Sequence, residues 1–84
     1  MNEVLVKYRG HLAVLTGMAE ESYDASSVED LLRSLRRRYS NEAEKTARAM
    51  LIAVNGESIH LLKRYKTALS AGDTVSFFPI CAGG

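Results

Sequence analysis

The sequence holds a single cysteine, Cys81, so no internal disulfide framework exists, and a lone thiol fits a reducing compartment. Long hydrophobic runs are also missing. No apolar stretch approaches the roughly 20 residues that span a bilayer. After Met1-Asn2-Glu3 the apolar residues alternate with polar ones instead of forming the continuous core of a signal peptide. These absences lead to the expectation of a cytosolic protein without a membrane partner. Charge of one sign is lacking too: 11 Lys and Arg stand against 10 Asp and Glu, a formal net charge of +1. Gripping a nucleic-acid backbone needs a dense basic surface, so nucleic acid is not the expected partner. His11 and His60 have no cysteine, histidine or carboxylate partners at metal-ligand spacing; both are read as surface or strand residues and no metal site is expected.

What is present suits a small soluble fold. At 84 residues the chain is read as one domain, 1–84, near the lower limit of what folds without disulfides or metals. Its 46% hydrophobic and 25% charged residues are ordinary for a globular domain, and no repeat, linker or low-complexity segment interrupts it. Charge is locally segregated. Glu20, Glu21, Asp24, Glu29 and Asp30 form an acidic stretch followed by Arg33, Arg36, Arg37 and Arg38, a pattern better suited to protein docking than to a polyanion. The run Arg36-Arg37-Arg38 is read as a solvated helix face.

Val4, Val6 and Tyr8 alternate with Glu3, Leu5 and Lys7 and lead into Arg9-Gly10, which reads as a first strand ending in a turn. The β-prone run His11 to Thr16, stopped by Gly17, suggests the return strand of a hairpin, and Glu20 to Asp24 could also hold part of that second strand, so the register stays open. Ser26 with Glu29 three residues later matches a capping box. Val28, Leu31, Leu32, Leu35 and Tyr39 then recur on one helical face, with the arginines outward. Glu42 and Glu44 near the start of 41–49, and Arg48 near its end, suit a short second helix. Met50 to Val54 reads as a buried strand, and Asn55-Gly56 is a strong signal for a type I′ hairpin turn into a short strand around 58–61. A loop to Leu69 and a turn at Ala71-Gly72-Asp73 precede the last strand, Thr74 to Phe78, where Val75 and Phe77 share one face and Thr74, Ser76 and Phe78 the other. Pro79 lacks a ladder donor and ends the pairing. One main helix on one face of a mixed sheet is an α+β, two-layer arrangement.

Beyond that strand lie Pro79-Ile80-Cys81-Ala82-Gly83-Gly84, read as an extended tail, 79–84. Glycine has no Cβ, so a terminal Gly-Gly lets an extended backbone enter a channel too narrow for other residues and present a bare carboxylate there. At an average glycine content of about 7%, chance gives such a pair in roughly one chain in 200, which makes a functional terminus the better reading.

The segment Leu69 to Pro79, ending in Ala82-Gly83-Gly84, resembles the C-terminal motif of the small subunit of molybdopterin synthase, within the wider family of ubiquitin-like sulfur carriers that includes the thiamine sulfur carrier. Ala53-Val54-Asn55-Gly56, the capped helix, the chain length and the element order extend the likeness, and Phe77-Phe78-Pro79 favours the molybdopterin branch. The resemblance implies a β-grasp fold with the first and last strands adjacent at the sheet centre. It also implies a mechanism. A carboxylate is a poor electrophile, so an adenylating enzyme related to ubiquitin-activating proteins would use ATP to join Gly84 to AMP. A sulfur donor would then displace AMP to leave a thiocarboxylate. In the molybdopterin branch the tail would enter the large synthase subunit and give its sulfur to a cyclic pyranopterin precursor. The chain itself would bind no cofactor and supply no catalytic residue other than its own Gly84 terminus, with Gly83 providing clearance.

Ala82, Ile80 and Pro79 join the expected tail and partner contact, and Phe78 is expected either to anchor the partner or to cover the sheet's second face. Cys81 departs from a tail of small or aliphatic residues: it is read as a small semi-polar tail residue, against the alternative of a thiol that exchanges sulfur with the activated terminus. Other readings stay open: a sulfur carrier for thiamine or cysteine synthesis, a protein modifier joined through Gly84 to a target lysine, or a non-covalent interaction domain.

Overall fold

The computed structural model of the chain describes residues 2–80. Its elements run β1 (Glu3–Lys7), α1 (Gly10–Thr16), β2 (Glu20–Asp24), α2 (Val28–Arg38), α3 (Asn41–Arg48), β3 (Leu51–Val54), β4 (Glu57–Ser58) and β5 (Thr74–Phe78). The strands form one mixed sheet in the order β2-β1-β5-β3-β4. At its centre β1 and β5 run parallel, with Val6 opposite Val75, and the other neighbours are antiparallel. The adjacency of first and last strands expected from the resemblance is therefore present.

Alternation decides which face is covered. Val4, Val6, Val75, Phe77 and Ile52 point to one side and are buried. Val28, Leu31, Leu32 and Leu35 of α2 and Ala43 and Ala47 of α3 complete the same core. Burying such side chains contributes roughly 1.5–3 kcal/mol each for the larger ones, so this layer dominates the stability of so small a domain. The aromatic rings of Tyr8 and Phe77 stack at 6.3 Å across the central pair of strands.

Three expectations need correction. The second strand is not at His11 to Thr16: that segment is α1, and β2 is the alternative site, Glu20–Asp24. Leu12 and Thr16, one helical turn apart, are its buried residues, while Val14 is 73% exposed. Gly17 is a left-handed helix cap whose N–H donates to the Ala13 carbonyl, so the glycine read as a strand stop is a helix stop. The capping box lies one residue later than expected, because Ser27 Oγ accepts from Asp30 N at 3.1 Å and Asp30 Oδ2 accepts from Ser26 N at 3.0 Å. The strand after the hairpin turn stops at Ser58, whose hydroxyl accepts from His60 N and starts a 3-10 turn over Ile59–Leu61.

The hairpin turn itself is as expected, with φ of 52° at Asn55 and 84° at Gly56. Asn55 does more than turn the chain: its Nδ2 donates to Asp73 Oδ1 and its Oδ1 accepts from Thr74 N, fastening the β3–β4 turn to the start of β5. The second helix, expected over 41–49, is α3, capped by Ser40 Oγ accepting from Ala43 N.

Candidate functional site

The tail leaves the body at the end of β5, and the structure fixes its root from both sides of the sheet. Phe77 is fully buried beneath the helices, which anchors the strand. Phe78, one residue on, stands on the opposite face and is half-buried. That face has no covering layer among the described residues: Leu5, Lys7, Thr74 and Ser76 are half-buried, Leu51 is exposed, and only Ala53 is closed off. Phe78 and Leu51 are direct cross-strand partners, so their side chains form one apolar strip. The Arg9 guanidinium lies 5.5 Å from the centre of the Phe78 ring and flanks the strip with positive charge. Phe78 is thus half-buried beside Leu51 and Arg9 on a face that no helix covers among the described residues.

Pro79 and Ile80 are both exposed. Pro79 packs on Gly10 at the start of α1, where a Cβ would meet its Cγ at 3.2 Å. Gly10 also has φ +59°, a left-handed conformation that side chains disfavour. The glycine thus lets the strand end lie close to α1 and fixes where Pro79 sits. Cys81, Ala82, Gly83 and Gly84 lie outside the described residues.

Two polar clusters were not anticipated. Glu21, read as part of an acidic stretch suited to docking, turns its carboxylate to the helix side, where only 12% of the side chain is accessible. Its Oε2 accepts from Tyr8 at 2.5 Å, Tyr39 at 2.6 Å and Tyr23 at 3.0 Å, and Arg38 Nη1 lies 3.1 Å from Oε1. Burial opposes ionisation of Glu21, but the hydroxyls of Tyr39, Tyr8 and Tyr23 and the Arg38 charge outweigh it and hold the carboxyl below its ordinary value. Burial and the adjacent carboxylate push the Tyr39 hydroxyl up to about 12. Arg38 also covers the Tyr23 ring at 4.1 Å, so this exposed member of the arginine run packs on the sheet as well as facing solvent. In the second cluster Arg48 bridges Glu29 at 3.0 Å and Glu44 at 2.7 Å, tying α3 to α2. The Arg48 guanidinium, against burial, holds the Glu29 carboxyl below its ordinary value. A carboxylate three or four residues from an arginine is a recognisable helix signal, but the cross-strand convergence of Tyr8, Glu21 and Tyr23 depends on a β2 register that the sequence left open.

His11 and His60 are exposed, and His11 Nε2 lies 3.7 Å from Glu42. Among the described residues no group of three His, Cys, Asp or Glu is placed to hold a metal ion, and no helix is long and apolar enough to cross a membrane.

The β-grasp body is that of the ubiquitin-like sulfur carriers and modifiers. Residues 6–84 match the model of the ThiS family, and the chain belongs to that family. Among solved structures it is similar to small archaeal modifier protein 1 from Methanosarcina acetivorans, with 28% identity and a TM-score of 0.82 over 100% of this chain and 98% of that one. It is likewise similar to a Pyrococcus furiosus protein provisionally named molybdopterin converting factor, subunit 1, at 27% identity and TM-score 0.76 over 94% and 98% of the two chains. The fold recurs in the BexX/CysO complex of Amycolatopsis orientalis, at 20% identity and TM-score 0.82 over 96% of this chain and 99% of that one. No curated protein matches the chain.

Proposed function

We propose that this carrier works through its C-terminal Gly84 as the small, sulfur-donating subunit of a molybdopterin synthase. An adenylating enzyme would join the Gly84 carboxylate to the α-phosphorus of ATP, releasing pyrophosphate. A sulfur donor would then attack the acyl carbon and expel AMP, leaving the thiocarboxylate. Docked on the large synthase subunit, the tail would pass that sulfur to the cyclic pyranopterin precursor. The sites that carry out adenylation and hold the acceptor would belong to the partner proteins, and the described part of this chain would contribute recognition and aim.

The observation that carries the reading is the tail root: a buried Phe77, a half-buried Phe78 beside Leu51 on an open sheet face, and a Pro79 packed on Gly10. Five residues follow Pro79 and reach at most roughly 17 Å, enough to pass from a docked surface into a buried pocket. The Phe77-Phe78-Pro79 motif and the 27% identity to the Pyrococcus furiosus protein favour the molybdopterin pathway.

A second reading has its own support. The 28% identity to the Methanosarcina acetivorans modifier favours transfer of Gly84 to a lysine of another protein. Intact mass of the protein from its native host tests both: an oxygen-to-sulfur shift at the terminus supports the carrier, and high-mass conjugates support the modifier. Conversion of the pterin precursor by a co-purified larger subunit then assigns the pathway. Absence of sulfur on Gly84 in cells making the cofactor overturns the first reading.

A further inference from the structure

A second concave surface opens beside the tail root, away from the open sheet face. It is a cavity of about 180 Å³ between the end of α3, β3 and the loop that follows β4. Met50, Ile52, Ile59 and Ile80 are among its apolar lining, and His60, Arg64 and Tyr65 among its polar lining. An apolar cavity of about 150 Å³ holds a benzene ring, so this one has room for one large apolar side chain.

The surroundings are held in place. Tyr65 Oη donates to the Arg48 carbonyl at 3.3 Å, and its ring lies 5.0 Å from the Arg48 guanidinium. Lys63 N donates to Oγ1 of the buried Thr67 at 3.0 Å. Between them Arg64 adopts φ +53°, a left-handed conformation that residues with a Cβ seldom take, and it is exposed.

Arg48, at the back of the cavity, is neutralised by Glu29 and Glu44. Arg64, which lines the cavity, makes no ion pair among the described residues, and neither do Lys63 and Lys66, exposed on the same loop. Leu61, next to them in sequence, is 75% exposed. A preformed cavity with partly apolar lining thus has one unpaired lining cation, Arg64, and two more on the loop that carries it.

We propose that this cavity and its basic rim are a docking site for an acidic segment of a partner protein, which places one large apolar side chain in the cavity and sets carboxylates against Lys63, Arg64 and Lys66. Charge complementarity selects the segment, and the apolar lining distinguishes it from a nucleic acid, whose phosphates would meet the lysines without filling the cavity. The inference extends the sulfur-carrier reading, because Ile80 places the bound partner at the root of the tail.

The test is a titration of the 15N-labelled full chain with the synthetic peptide acetyl-Glu-Asp-Phe-Asp-Glu-amide up to millimolar concentration, following amide shifts. Saturable shifts centred on Met50, Ile59, His60, Arg64 and Tyr65 are expected. Arg64→Glu and, separately, Lys66→Glu should weaken binding by about tenfold or more, as should a peptide with serine in place of phenylalanine. Lys66 is exposed, so that variant guards against a folding defect at Arg64. No shifts at millimolar peptide, shifts confined to Leu5, Leu51 and Phe78, equal binding by the serine peptide, or unchanged binding by both variants would each overturn the proposal. So would a single-stranded oligonucleotide that displaces the peptide at lower concentration. Peptide binding does not require sulfur on Gly84, so a protein that binds the peptide yet never forms a thiocarboxylate leaves this inference standing and removes the other.

Discussion

Gly10 and Pro79 are in contact across the start of α1 and the root of the tail, with Pro79 Cγ only 3.2 Å from where a Gly10 Cβ would stand. Gly10→Ala introduces two penalties at once, a side chain at φ +59° and a collision with the proline ring. The first alone costs about 1–2 kcal/mol. Urea denaturation should show a loss of that size or larger, and adenylation of the terminus should slow because the tail departs in a changed direction. Adding Pro79→Ala removes Cγ and should recover the collision part while leaving the backbone part. Equal stability of wild type and Gly10→Ala would show that neither penalty operates.

The pairing of Phe78 with Leu51 on the open face separates binding from folding. Phe78 is half-buried, so Phe78→Ala should lower stability by only about 1 kcal/mol. As an interface anchor the same ring should be worth about 2 kcal/mol or more, roughly thirtyfold in affinity. Isothermal titration against the adenylating enzyme or the large synthase subunit, alongside a melt, measures both. Affinity that falls no further than stability would mean that partners dock elsewhere.

Glu21 should contribute to the acid sensitivity of the fold. Its folded pKa lies below the ordinary value, so its contribution is fully present above about pH 4.3 and is lost as pH falls through the lowered folded value. Glu21→Gln should cost about 1.5–3 kcal/mol at neutral pH, because three hydroxyls and Arg38 lose a charged acceptor. The variant should also flatten the decline in stability below pH 4.3, with the residual slope coming from Glu29 and Asp73, whose carboxyls are likewise held low. Chemical denaturation of both proteins from pH 3 to pH 7 supplies the comparison. An unchanged slope in the variant would assign the acid lability to those other carboxylates.

These two polar features explain what was legible in the sequence and what was not. The α2 face was readable because four buried apolar side chains recur at helical spacing, and β5 because Val75 and Phe77 alternate cleanly with half-buried neighbours. At His11 to Thr16 the local signals conflict: a β-prone run lies between two glycines, and only the burial of Leu12 and Thr16 against the core selects the helix. With that segment assigned to a strand, Glu21 had no reason to face inward. Its position follows from pairing with Val6 in β1, a contact fixed by tertiary structure rather than by neighbours in sequence. The tail was the opposite case. Gly83-Gly84 and the Phe77-Phe78-Pro79 launch are local, so the motif could be read directly, whereas the Gly10 contact at its root joins residues 69 positions apart.

Gly83 and Cys81 divide the tail's chemistry into clearance and reactivity. If the terminus threads a channel fitted to glycine, Gly83→Ala adds one methyl group where none fits, and adenylation should fall by about tenfold or more while the stability of the folded body stays within about 0.5 kcal/mol. Cys81→Ser keeps the size of the side chain and removes the thiol. With Cys81 acting only as a small tail residue, thiocarboxylate formation and sulfur transfer should be unchanged. Intact-mass time courses with the adenylating enzyme, ATP and a sulfur donor follow both variants in one experiment. Activation of Gly83→Ala at the wild-type rate would remove the narrow-channel argument. A stall of Cys81→Ser after adenylation would place the thiol on the sulfur path, since the acyl adenylate would then form and lack its nucleophile.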